Sequence, residues 1–143
     1  MAMDMDQRWV NRSPAEMLET FHWFRGECFS MIIEDILRLP REPAMIVEGF
    51  RLLPHLVKPL LAAPNHAVWL LPTPEFREAV ARWEFLGQTS DPARARRNLL
   101  ERDAMFTQRL HEETQHLELN TIGVDPTLTI DELAGAANKV FGL

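Results

Sequence analysis

Met45-Ile46-Val47-Glu48-Gly49-Phe50-Arg51 reads as a short buried strand that ends in a carboxylate, a glycine and an arginine. About twenty residues on, Ala67-Val68-Trp69-Leu70-Leu71 repeats the apolar run, and Thr121-Ile122-Gly123-Val124 gives a third. Helical sequence separates them, which is the rhythm of a parallel sheet with chemical groups gathered at the strand ends. The expected fold class is therefore α/β.

Composition narrows the setting. At 143 residues the prior is one domain, and 46% hydrophobic with 25% charged residues is a globular balance. The net charge of −6 gives no overall electrostatic support for wrapping nucleic acid. No apolar run approaches the roughly 18 to 20 residues that span a bilayer, so no membrane role is expected. The acidic start, Met1-Ala2-Met3-Asp4-Met5-Asp6, is unlike a signal peptide, and the cytoplasm is the expected compartment. Cys28 is the single cysteine, which excludes an internal disulfide and a cysteine-based zinc site. Its spacing with Phe21, Phe24 and Ile32 places it on a buried helical face.

The helix signals are local. Residues 1–12 show no period and read as an irregular lead-in. Ser13-Pro14-Ala15-Glu16 is a capping box with proline at the first helical position. Leu18, Phe21, Phe24, Cys28, Ile32, Ile36 and Leu39 then form one stripe, predicting a single helix up to Pro40. Leu52 to Ala62 reads as a short helix. Thr73-Pro74-Glu75 opens another, carrying Phe76, Val80 and Trp83 inward. Gly87-Gln88-Thr89-Ser90 is a polar break, predicted to be mobile. Asp91-Pro92 caps a long helix with stripe Leu99, Phe106, Leu110 and Leu117, and Thr129-Ile130-Asp131-Glu132 launches the last.

Three motifs together resemble the P-loop kinases of small metabolites and nucleoside monophosphates, the shikimate, adenylate and cytidylate kinases. Glu48-Gly49-Phe50-Arg51 is similar to the Asp-Gly-Phe-Pro-Arg of the monophosphate kinases. Arg82-Trp83-Glu84-Phe85-Leu86, then Asp91-Pro92, Leu99-Leu100, Arg102 and Phe106, resembles the lid and following helix of shikimate kinases, making 82–103 a lid-like segment. Ile122-Gly123-Val124-Asp125 with Thr129 to Leu133 looks like that group's last strand and helix. The resemblance covers residues 13–143. It implies a three-layer α/β/α domain with a short parallel sheet and about five helices.

The departures are as informative. No Gly-x-x-x-x-Gly-Lys-Ser/Thr loop precedes the first strand, Trp83 stands where the lid pattern has proline, and Phe106 replaces a tyrosine. In the family the strand leading into the phosphate loop lies centrally, between those that Val47 and Trp69 would represent. Without it the sheet would be incomplete, each buried unpaired main-chain group costing about 1 to 3 kcal/mol. The resemblance thus describes the carboxy-terminal part of a kinase-like protein, inactive alone. ATP and Mg²⁺ would be its cofactors if completed, a small anionic metabolite or nucleotide its substrate, and another copy or a partner chain the completing element.

Candidate chemistry follows the same lines. Glu48 suits the ordering of a Mg²⁺-bound water or the polarising of an acceptor hydroxyl, and equally the capping of the next helix. Guanidinium forks suit phosphate and carboxylate oxygens; the resemblance gives Arg82 to the transferring phosphate and Arg51 and Arg102 to the acceptor. As ordinary helix residues these arginines are solvated or paired. Trp83, beside the lid-like arginine, is the candidate for stacking on a base, whereas Trp69 reads as core. His111-Glu112-Glu113-Thr114-Gln115-His116 imitates a zinc-protease helix, but its histidines are five apart and diverge by about 140°, so no metal site is expected. His22, His55 and His66 read as structural or exposed. The alternative function is a non-catalytic oligomerisation module that uses the sheet gap to bind another chain.

Overall fold

Elements appear in the order α1 (Met5–Trp9), α2 (Pro14–Thr20), α3 (Phe29–Arg38), α4 (Pro54–Val57), β1 (Trp69–Pro72), α5 (Pro74–Val80), α6 (Pro92–His116), β2 (Thr121–Val124) and α7 (Ile130–Phe141). Short 3-10 turns at His22–Arg25, Lys58–Leu60, Pro64–His66 and Glu84–Gln88 join them. This is a computed structural model that describes residues 4–143, except the side chains of His22 and Trp23.

Helix starts obey the capping chemistry. Ser13 and Glu16 exchange hydrogen bonds at α2: the Glu16 amide donates to Ser13 Oγ at 3.2 Å, and the Ser13 amide donates to the Glu16 carboxylate at 2.9 Å. Thr129 and Glu132 do the same at α7. Thr73 and Asp91 accept from the third helical amide of α5 and α6, and each helix begins with proline. The lead-in differs from expectation, because Asp4 accepts from the amides of Asp6 and Gln7 and residues 5–9 become helical. Residues 1–3 of that stretch lie outside the description.

β1 and β2 run parallel, with Trp69 opposite Thr121 and Pro72 opposite Val124. The chain is thus α-rich with a two-stranded parallel sheet, an α/β arrangement at the coarse level. Trp69 and Leu71 point into the core with Leu119, packed by Leu110 and Leu117 of the α6 side. Trp69 Nε1 also donates to Leu52 O at 3.0 Å, fixing where the 50–53 segment meets the strand. Two further clusters complete the interior. Leu18, Leu53 and Phe106 join α2 to α6, and Val10, Leu86, Ala95 and Leu99 seat the chain after α1. Asn98 secures that seat by donating to the carbonyls of Trp9 and Val10, at 3.0 and 3.2 Å.

Several expectations are corrected. Met45–Gly49 is irregular, not a strand, and every residue from 45 to 49 is exposed, Ile46 to 80%. Apolar β-branched composition does not make a strand without a partner edge, and none among the described residues pairs with it. The single helix predicted from Pro14 to Leu39 is broken: α2 ends where Phe21 turns extended (ψ 93°), a 3-10 turn follows, and Gly26 (φ 73°) and Cys28 (φ 66°) take left-handed conformations before α3. The break lets Leu53 and Leu56 press against Gly26. Cys28, placed in the turn, is exposed instead of buried. The Gly87–Ser90 break is tied down: Thr89 is buried and donates to Leu86 O, while the Ser90 amide donates to Asp6 Oδ1 at 2.7 Å.

Two outcomes test this description. Gly26→Ala, forced into a left-handed turn against Leu56, is expected to cost about 2 kcal/mol in denaturant unfolding. Gly87→Ala, with open space beside it, is expected to cost nothing measurable. Acid should also weaken the fold. The Ser13 amide and hydroxyl hold the Glu16 carboxyl below its ordinary range, Thr129 does so for Glu132, and the Thr127 hydroxyl and amide do so for Asp125. Ser90, through its hydroxyl and then its amide, does the same for Asp6. A depressed folded value means stabilisation present above the unfolded carboxylate range and lost as pH falls through the folded value. Melting temperature should therefore drop on acidification through and below that range, and a Glu16→Gln, Glu132→Gln double variant should show a shallower drop.

Candidate functional site

Parallel strands gather their carboxyl ends at one side of a sheet, where α/β proteins place ligands. Here β1 ends at Pro72, and α5 begins two residues later. A cavity of about 200 Å³ opens there between the strand end and the facing side of α6. Arg77 stands on one wall, with Thr107, Gln108 and His111 on the other. A broader hollow of about 580 Å³ continues over Arg77 and Gln108 toward Leu18 and Arg109.

Hydrogen bonding decides which of these groups remain available. Arg77 Nη1 donates to Pro72 O at 2.7 Å, which orients the guanidinium along the strand end. Thr107 spends its hydroxyl proton on Asp103 O at 2.9 Å, and Gln108 donates to Glu112 Oε1 at 2.7 Å. The rest of the Arg77 fork and the exposed His111 ring are the cleft's donors toward a ligand. Such a pair suits a small anion, phosphate or carboxylate. Sequence reading missed it because Arg77 and His111 lie on different helices that only the β1–α6 packing brings face to face.

The residues singled out from sequence divide into two groups. Glu48 and Arg82 are both exposed, and neither side chain has a hydrogen bond or ion pair among the described residues. Arg51 is half-buried beside Phe50. Trp83 is half-buried against the Val10, Leu86, Ala95 and Leu99 cluster, as is Trp9. The 82–103 segment is correspondingly built into the core at Leu86, Ala95 and Leu99.

Arg102 is the surprise, since only 9% of it is exposed. Its Nε and Nη2 both donate to Asp103 Oδ1, at 2.9 and 2.7 Å. Its guanidinium carbon lies 5.8 Å from the Trp9 ring centroid, 5.3 Å from Phe21 and 5.2 Å from Phe24. Phe24 in turn stacks on Phe106 at 4.0 Å and meets Phe50 edge-on at 6.1 Å. The cation is thus compensated by one carboxylate and three ring faces, each ring on a different stretch of chain. Its neighbours make it a packing centre.

The remaining ionisable groups offer less. His55 Nδ1 pairs with Glu113, tying α4 to α6. Among the described residues no group of three or more His, Cys, Asp or Glu side chains is arranged to hold a metal ion. No helix among the described residues is long and apolar enough to cross a membrane.

Arg102→Ala should lower stability by about 3 kcal/mol, because it strands Asp103 and empties the aromatic box. Arg102→Lys, which cannot lie flat against three rings, should recover less than half of that loss in the same unfolding measurement. Comparison of the chain with family models, curated proteins and solved structures returned no match.

Proposed function

We propose that the chain is the acceptor and cover side of a kinase-like phosphotransfer domain acting on a small anionic metabolite or nucleotide. The observation that carries this reading is the cleft at the carboxyl end of β1, where Arg77 and His111 present donors beside a parallel β1–α6–β2 unit. The lid-like and strand-end motifs around Arg82 and Glu48 support it by resemblance alone.

In this reading Arg77 and His111 hold the anionic group of the acceptor, and Arg51 is given to the acceptor by resemblance alone. Arg82 would face the transferring phosphate, Glu48 the acceptor hydroxyl, and Trp83 a base or ring. Arg102, given to the acceptor by the resemblance, is engaged instead by Asp103 and the rings of Trp9, Phe21 and Phe24. The described residues do not by themselves fit Mg²⁺ and ATP: no glycine-rich loop opens a helix, and no carboxylate cluster converges. Nucleotide would have to be held by a phosphate loop from another segment or chain. A second role, pairing with another polypeptide, is favoured by the open edge of β1.

Calorimetry and NMR of the His111 ring test the proposal with three ligands. Inorganic phosphate and a nucleoside monophosphate should bind saturably, with Kd about 1 mM, and Arg77→Gln should weaken both about tenfold. Mg²⁺ with ATP should bind no more tightly than the monophosphate. Micromolar ATP binding by this chain alone, or phosphate shifts that persist unchanged in Arg77→Gln, would defeat the reading.

A further inference from the structure

On the outer edge of β1 the main-chain groups of Leu70 are unpaired among the described residues, while the Pro72 carbonyl already accepts from Arg77 Nη1; residues 44–48 have no strand to join, and the two do not pair within one chain. The amides of Trp69 and Thr73 donate to Asn120 O at 3.0 Å and Val124 O at 2.8 Å. Strand alternation then turns the N–H and C=O of Leu70 toward the opposite side, where no strand pairs with them among the described residues. Leu70 is 47% exposed. Pro72 follows on that side, its missing N–H being tolerated at a strand edge.

Ala44-Met45-Ile46-Val47-Glu48 is uncovered along its whole length. None of these five residues takes part in a backbone hydrogen bond among the described residues. Its apolar side chains remain in water, Met45 at 46% and Val47 at 43% exposure. An exposed apolar segment and the unpaired main-chain groups of Leu70 in one chain are complementary, and exchange between copies satisfies both.

We infer that two copies of the chain associate by reciprocal strand exchange, residues 44–48 of each adding in parallel to the Leu70 edge of the other. Charge sets the direction. Parallel addition opposite Trp69–Pro72 brings Glu48 of the second copy to the carboxyl end of β1, where Arg77 and His111 stand. Antiparallel addition would carry that carboxylate to the far end, away from the Arg77 guanidinium and the His111 ring. Each cleft would then hold a carboxylate from the other copy. That carboxylate and a phosphate would compete for the same Arg77 and His111 donors, but the exchange is read at Leu70 and by sedimentation, and phosphate binding at the His111 ring, so either can fail without the other.

Sedimentation velocity over a concentration series, with hydrogen exchange read at Leu70, tests the inference. The expected result is a reversible dimer in which the Leu70 amide exchanges about tenfold more slowly than in the monomer. Ile46→Pro and Leu70→Lys, both at sites exposed in the monomer, should each restore the monomer while circular dichroism and melting stay unchanged. Glu48→Gln should weaken the dimer about fivefold and flatten its salt dependence. A chain that stays monomeric up to its solubility limit overturns the proposal. So does a dimer indifferent to Ile46→Pro, one whose Leu70 amide exchanges as in the monomer, or one whose affinity and salt dependence survive Glu48→Gln. Phosphate titration of the monomeric Ile46→Pro variant reads the cleft separately.

Discussion

A parallel strand pair cannot be closed by a tight turn, and that constraint organises the molecule. Going from the end of β1 to the start of β2 requires a return path, and α6 supplies it with 25 residues, a rod about 37 Å long. Once that rod exists, α1, α2, α4, α5, the Glu84–Gln88 turn and β1 all pack on it. Its exit is equally determined. Thr114 is fully buried and donates to Leu110 O and His111 O, and the Leu119 amide returns to Thr114 O at 2.9 Å. Glu118, with φ 53°, turns the chain back toward β2. The strand pairing is thus dictated from the helix that connects it.

Charge placement shows the same dependence. Arg102 faces inward because rings from α1, the end of α2 and the His22–Arg25 turn converge on its side of α6. Asp103, its immediate neighbour, supplies the countercharge without needing a distant partner. Arg77 meets the opposite circumstance: one nitrogen is bound to the strand end and the rest of its fork faces an open cleft. Two arginines of one type are therefore assigned different work by what surrounds them.

Elements with local causes were legible in the sequence. The boxes at Ser13 and Thr129, the proline starts at Pro74 and Pro92, and the α6 stripe through Leu99 and Phe106 are decided within a few residues of themselves. What depended on distant chain was not. Met45 to Val47 carries good strand residues, but pairing is a property of two segments. The stripe from Leu18 to Leu39 fits one helix, yet Leu53 and Leu56, pressing on Gly26 from beyond Pro40, fall against a break in it. Nothing near Arg102 in sequence announces Trp9, and nothing near Arg77 announces His111. The α/β class was readable from alternation of apolar runs and helical stretches, while the site required the packing.

The bonds that hold α1 have a consequence for how the molecule is made. Asn98 reaches back across 89 residues to Trp9 and 88 to Val10, and Ser90 reaches back 84 to Asp6. During synthesis the opening helix therefore emerges from the ribosome long before any of its anchors exist. A five-residue helix is far too short to persist alone. α1 therefore settles only once α6 has formed, and its docking closes a loop spanning 89 residues.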